Sequence, residues 1–393
     1  MALDVAAIQQ VLNADGLDGW LLYDFHGSNP IAARLAGLTS GPHMTTRRWY
    51  YLIPAHGQPR GLVHAIERYN LDALPGEKTV YAGHEQLEAG LDALLRGVRR
   101  IAMEYSPACA IPYLSRVDAG TAEAVRERGA EIVSSGDLVQ RFEAAWNGTQ
   151  LATHRVASEA LYRIKDRAFE AVAKTLKDGR PATEYDIQQL MVRWFEEEGL
   201  VSDSAPVVAV RENAGNPHYL PTAAVTKPIA ADEVVLLDLW GKRDEAGAVF
   251  ADITWVGFTG RRVPERYASA FDAAARARDA AVALVQHAAR QGRDVRGFEA
   301  DRAAREVLVA AGYAEHILHR TGHSLGESVH GNGVHLDDYE THDDRRILPG
   351  TGFTVEPGLY FDDFGVRTEI NVFRSERDAT VTGPCQTEIV ALG

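Results

Sequence analysis

"RTGHSLGESVH", Arg320 to His330, contains Gly322-His323-Ser324-Leu325-Gly326, the G-x-S-x-G pattern of a serine-hydrolase nucleophile elbow. If Ser324 is a nucleophile, the fold is an α/β-hydrolase; if His323 is the working residue, the fold is something else. An elbow needs a buried strand running into the serine and a helix leaving it. The residues before it, "AEHILHR", carry two histidines and an arginine, and those after, "ESVHGNG", do not read as a helix packed on a sheet. The triad order also requires an acid and then a histidine downstream. Only His330, His335 and His342 follow, which crowds any acid between them against the serine. Ser324 is expected to be a bystander to the chemistry.

Histidine usage points to another chemistry. His316, His319, His323, His330, His335 and His342 fall within 27 residues, out of 14 histidines in the chain. Elsewhere, four acids stand inside apolar strand-like runs: Asp238 in "VVLLDLWG", Asp252 in "VFADITW", Glu356 in "FTVEPGLY" and Glu369 in "GVRTEINVF". Burying a carboxylate costs several kcal/mol unless it is paired or coordinates a cation. Two divalent ions neutralise four carboxylates, and one neutral imidazole adds a ligand without changing that sum. Oxygen-rich coordination with a single nitrogen suits manganese first, with cobalt, zinc, iron or magnesium as other candidates.

The surroundings set the class. A chain of 393 residues, 46% hydrophobic, is long enough for two domains with separate cores. Its formal charge of −14, without a basic block, gives nucleic acid or an anionic membrane no electrostatic footprint. No apolar run reaches about 18 residues, and the N-terminus lacks a basic n-region. The expectation is a cytoplasmic protein acting on small molecules or peptides. Cys109 and Cys385 are too few for a disulfide framework, and the Asn147-Gly148-Thr149 sequon is expected to be fortuitous.

Along the first 140 or so residues, short apolar runs alternate with amphipathic stretches, predicting an α/β domain over 1–145. From 146 to 393 the order is helices then strands, twice over, as expected of an α+β domain with a duplicated architecture. Helices are predicted over 151–177, over "TEYDIQQLMVRWFEEEG" with a capping-box-like start at Thr183 and a stop at Gly199, and over two long segments between 264 and 312.

In order and in strand and turn context, Asp238, Asp252, His323, Glu356 and Glu369 resemble the five ligands of the pita-bread metallopeptidases, among them methionine aminopeptidase, aminopeptidase P and prolidase. "TGHSLG" with His330 seven residues on, "TVEPG" and "GVRTE" are three separate signatures of that family. The resemblance covers residues 150–393, and 1–140 is similar to the N-terminal α/β domain of the prolidase, aminopeptidase P and creatinase branch. The chain departs from the family in three places: the two Asp are spaced more widely, so that "KRDEAGAV" reads as a lengthened hairpin leaving both strand ends in place; Arg320 stands where relatives often have Gly; and "DITWVGF" lacks an Arg common after the second Asp.

The resemblance implies two divalent metals per subunit sharing an activated water, a homodimer, and hydrolysis of Xaa-Pro bonds. It implies that Asp238 ligates one ion, His323 and Glu356 the other, and that Asp252 and Glu369 bridge them. Glu356 would also handle the proton of the attacking water, His218 in "NAGNPHYLPT" would face the leaving nitrogen, and His330 would stabilise the tetrahedral oxyanion. His319 and Arg367 would contact substrate or orient a ligand. Proline-containing dipeptides are the expected substrates, with longer peptides the alternative, a metal-free creatinase-like amidinohydrolase less favoured, and a noncatalytic peptide-binding module more remote. A dipeptidase needs a cation for the substrate carboxylate, a role suited to bidentate Arg. Arg47 and Arg48 in "HMTTRRWYYLIP" stand at a loop-to-strand boundary, and alternation predicts that one of them faces a cleft.

Overall fold

The computed structural model describes residues 3–39 and 44–393. Its described residues form two compact units, one ending at Ala144 and one spanning Ala145–Gly393.

In the first unit, β1 (Gly19–Asp24), β2 (Trp49–Pro54), β3 (Arg60–His64), β4 (Glu77–Tyr81), β5 (Arg100–Met103) and β6 (Glu131–Ser134) form one sheet in the order β4-β3-β2-β1-β5-β6. β2 is antiparallel to β1 and β3, and the other neighbours run parallel. Alternation along β1 explains why all of it is buried. Trp20 and Leu22 join the core under α1 (Val5–Ala14) and α2 (Pro30–Leu35). Leu21 and Tyr23 join the opposite core, under α3 (His84–Leu94) and α4 (Ala119–Glu127).

The first unit closes with the short α5 (Gly136–Val139) and a π-helical turn over Gln140–Ala144, and the second opens with α6 (Gly148–Lys177) and α7 (Glu184–Glu197). Both starts are fixed locally. Thr183 and Asp186 form the anticipated capping box, and Gly199, at φ 67, follows the helix end in the left-handed region. The sequon residue Asn147 is the N-cap of α6, boxed with Gln150.

α6 and α7 pack on β8 (Val207–Val210), β9 (Val234–Arg243) and β10 (Ala251–Phe258) around Leu161, Ile187, Val208, Leu237 and Ile253. β7 (Leu200–Val201) pairs with the far end of β9, and β17 (Val390–Ala391) with the end of β10. The second half repeats the plan. α8 (Glu265–Gln291) and α9 (Gly297–Ala310) pack on a sheet of β11 (Ser324–Leu325), β12 (Gly352–Val355), β15 (Ile370–Arg374) and β16 (Ala379–Val381), with the hairpin β13 (Gly358–Tyr360) and β14 (Gly365–Arg367) beside it. Two helix-covered sheets with their uncovered faces converging make the α+β pita-bread arrangement, and the acids lie on those faces. No helix among the described residues is long and apolar enough to cross a membrane.

Candidate metal centre

The β9/β10 ladder sets the first two acids. Asp238 lies opposite Thr254 and Trp240 opposite Asp252, so all four side chains share one face. The lengthened hairpin leaves this register untouched. Its extra residues extend β9 to Arg243, where Val201 pairs with Lys242 and Leu200 with Arg243, and they leave Asp244 and Glu245 exposed in the turn.

The second half supplies the remaining donors. Gly322 lets the turn before His323 press against β12, since a Cβ there would collide with the Thr354 carbonyl. The Thr354 hydroxyl accepts the His323 N–H at 2.9 Å and donates to Glu356 at 3.2 Å. The His323 Nδ1 faces the Ser324 carbonyl at 3.1 Å and must carry the proton. Its Nε2 lone pair is thereby left facing Asp252 at 3.5 Å and Glu356 at 3.4 Å.

Asp252, His323 and Glu369 each offer a ligand atom, all within 4.8 Å of one another. Glu369 Oε2 accepts the Thr254 hydroxyl at 2.7 Å, but Glu369 Oε1 and Asp252 Oδ1 are buried with no hydrogen-bond partner among the described residues. Two buried carboxylate oxygens without donors are costly in a protein interior and suited to a cation. The donor set therefore fits a divalent ion. Asp238 is turned instead to the Arg367 guanidinium, which also donates to Thr254 Oγ1 at 2.8 Å and to the Tyr360 hydroxyl at 3.2 Å.

The electrostatics follow from burial. Burial pushes Asp252 and Glu369 well above the usual carboxylate range, and each raises the other side of the cluster further: Asp252 feels Asp238 and Glu356, Glu369 feels Asp252 and Glu356. Burial also raises Asp238, against the pull of Arg367. Burial pushes Glu356 up too, but His323, His319 and Arg367 hold it below its ordinary value. His319 and His323 are pushed down by burial. His330, edge-on to the His323 ring at 4.3 Å, is pushed down to about 4 by burial and by the neighbouring His323 and Arg320.

One cavity of 740 Å³ is lined by the five candidate ligands together with His218, His319, His330 and Arg367. The remaining histidines of the cluster do structural work: His316 binds the Tyr360 carbonyl, His335 accepts the Ser324 N–H, and His342 binds Asp338. Ser324 is buried in the two-residue β11 with no helix after it, and its Oγ accepts the Gly333 N–H at 3.0 Å, an arrangement without the exposed elbow a nucleophile needs.

Arg47 and Arg48 do not line this cavity. They precede β2, which begins at Trp49, so strand alternation does not separate them, and both line a different cavity of 810 Å³ within the first unit. This corrects the expectation that only one would face a cleft. Sequence reasoning missed Trp240, Thr254, Tyr360 and Asn371. The first two could have been found by counting two residues on from each Asp. Tyr360, which binds His319 Nε2 at 2.6 Å, and Asn371, which holds the Asp252 backbone, are long-range partners with no local signal.

The chain is similar to known proteins in sequence and in fold. The chain is 27% identical over 261 residues to "Probable dipeptidase PepE" of Mycobacterium bovis, a match covering 66% of this chain and 64% of that protein, just under two-thirds of the relative's length. It is 29% identical over 210 residues to "Xaa-Pro dipeptidase" of Lactobacillus helveticus, covering 51% and 49% of the two chains. The crystal structure of dipeptidase PepE from Mycobacterium ulcerans superposes with a TM-score of 0.70 at 21% identity over 99% of this chain and 96% of that one, which establishes a shared fold. The model of metallopeptidase family M24 matches residues 158–376, more than half of the chain and the whole stretch bearing the five donors, and the chain belongs to that family.

Proposed function

We propose that this M24 protein hydrolyses Xaa-Pro peptide bonds, with Xaa-Pro dipeptides as its first substrates. The observation that carries the reading is the convergence of Asp238, Asp252, His323, Glu356 and Glu369 on one cavity, with two buried carboxylate oxygens that lack a donor among the described residues. Binding of peptide alone needs no such cluster of buried acids.

In this reading Asp238 would hold one divalent ion, His323 and Glu356 a second, and Asp252 and Glu369 both. Manganese is the first candidate, ahead of cobalt, zinc, iron or magnesium. The chemistry a divalent pair supplies when bound is acidification of water and polarisation of the scissile carbonyl. The chain's own groups do the rest. Glu356 Oε1, held by Thr354 and facing His323, takes the proton of the attacking water and passes it to the leaving nitrogen. His330 and His218 flank the cavity as hydrogen-bond donors, His330 to the developing oxyanion and His218 to the leaving side. His330, neutral at pH 7, donates through its one N–H, and no extra charge is brought beside His323. The Tyr360 hydroxyl, donating to His319 Nε2 and accepting from Arg367, fixes the guanidinium that steadies Asp238. Arg47 and Arg48, which line the separate cavity of the first unit, are given no role in this step. By the same resemblance, and from its acidic, cysteine-poor composition, the protein is proposed to act as a cytoplasmic homodimer.

The test compares Xaa-Pro with Xaa-Pro-Yaa-Yaa as substrates after manganese addition, alongside metal analysis. Faster turnover of the dipeptide is expected. Faster turnover of the tetrapeptide would instead make the protein an aminopeptidase of the aminopeptidase P type, and absence of any bound divalent ion would overturn the hydrolytic reading.

A further inference from the structure

Two acids line the cavity without belonging to the five-donor set, Asp203 and Glu340. Glu340 is accounted for: it accepts the Arg320 N–H at 3.0 Å and lies 4.0 Å from the Arg320 guanidinium. Asp203 is not. It sits in the turn between β7 and β8, which runs beside β9 because both strands pair with it. Its Oδ1 accepts the indole N–H of Trp240 at 2.7 Å, and among the described residues no lysine, arginine or histidine forms an ion pair with it.

The position of Trp240 ties this acid to the reacting centre. Trp240 is two residues beyond Asp238 and directly opposite Asp252, so its ring lies on the face that carries the candidate ligands. The indole is thus a fixed wall of the cavity, and its N–H holds one carboxylate oxygen while the second remains open. Leu220, Leu318 and Val329 line the same cavity as apolar wall. An oriented carboxylate beside an indole face, with aliphatic wall around them, suits a cation on a long apolar stem: the carboxylate supplies charge, the ring a cation–π surface, and the aliphatic groups cover the methylenes.

We infer that Asp203, oriented by Trp240, is a specificity-determining residue that favours substrates whose Xaa side chain is cationic, lysine or arginine. The inference rests on the Xaa-Pro reading above and adds to it a preference at Xaa. Asp203 takes no part in the hydrolytic step, and the α-ammonium, common to every dipeptide, is not its partner.

The test is the ratio of kcat/KM for Lys-Pro to that for Leu-Pro. Asp203→Asn keeps an oxygen for the Trp240 N–H and removes only the charge. The ratio should fall about fivefold, as expected for a partly exposed charge contact with an aromatic neighbour. Asp203→Lys should lower it further and raise Glu-Pro relative to Leu-Pro. A ratio unchanged in both variants overturns the inference, whether Asp203 then serves the α-ammonium or nothing. If the wild type cleaves neither dipeptide, it is the Xaa-Pro reading that falls. Calorimetric binding of Lys-Pro against Leu-Pro without added metal then decides the inference separately: it stands if wild type favours Lys-Pro and Asp203→Asn does not, and fails if the two proteins bind alike.

Discussion

Asn371 grips the backbone of Asp252 from the neighbouring strand: its Oδ1 accepts the Asp252 N–H at 3.0 Å and its amide donates to the Asp252 carbonyl. This pair joins the two half-sheets between Asp252 and Glu369, the two acids with orphaned oxygens. Groups that orient ligands matter nearly as much as the ligands themselves. Asn371→Ala should therefore weaken manganese binding by about 10- to 100-fold, measured by calorimetry. Unaltered affinity in a folded variant would show that the strands hold Asp252 without the amide.

Proton and metal should compete at this site. Asp252 and Glu369 have ordinary values of 3.8 and 4.5, and in the fold both are raised well above them, by burial first and then by neighbouring carboxylates. Their contribution to the metal-free fold is fullest below those ordinary values and is lost as pH rises through the higher folded ones. A divalent ion replaces the proton and removes that loss. Manganese should raise Tm more at pH 7.5 than at pH 5, and calorimetry in buffers of different ionisation enthalpy should detect proton release on binding. An equal Tm shift at both pH values, with no proton release, would contradict the raised carboxylates.

Ser324 and His323 separate by different assays. His323→Ala removes the nitrogen donor facing Asp252 and Glu356, and should abolish both metal retention and hydrolysis. Ser324→Ala leaves the Gly333 N–H without its acceptor, at a cost of about 1–3 kcal/mol in stability, while most turnover survives. Loss of turnover in Ser324→Ala with metal content intact would return the serine to the chemistry.

How far the sequence reached depends on the range of the interaction. Asp238 and Asp252 were legible because a charge in an apolar strand is conspicuous and alternation fixes its face. Thr183 was legible because a capping box is local. The cap at Asn147 was not legible from the sequon alone and is visible only once α6 is known to begin at Gly148. Arg47 and Arg48 stand at a loop-to-strand boundary, but the strand begins only at Trp49, and the alternation rule does not reach back past its edge. Asn371, Tyr360 and Asp203 act across 119, 41 and 37 positions of sequence, on partners that only the closed fold brings near. No periodicity encodes such contacts.

Acid should destabilise the second unit through His154 on α6, which is not itself one of the proposed ligands. Its Nδ1 faces the Phe250 carbonyl at 2.8 Å and must carry the proton, leaving Nε2 to accept the Thr382 hydroxyl at 2.8 Å. Burial holds this imidazole at about 4, against an ordinary value of 6.5. Because the folded value is the lower one, the unfolded chain binds the extra proton between those limits. Stability is therefore complete above pH 6.5 and declines as pH falls toward 4, by an amount on the order of 3 kcal/mol from this group. The carboxylates of the metal site have the opposite slope, so the contribution of His154 is isolated as the difference between wild type and His154→Gln. That difference in denaturant-unfolding free energy should shrink steadily from pH 7 to pH 4. Parallel curves would mean that the buried imidazole accepts its proton without penalty, and that Thr382 and Phe250 accommodate the cation after all.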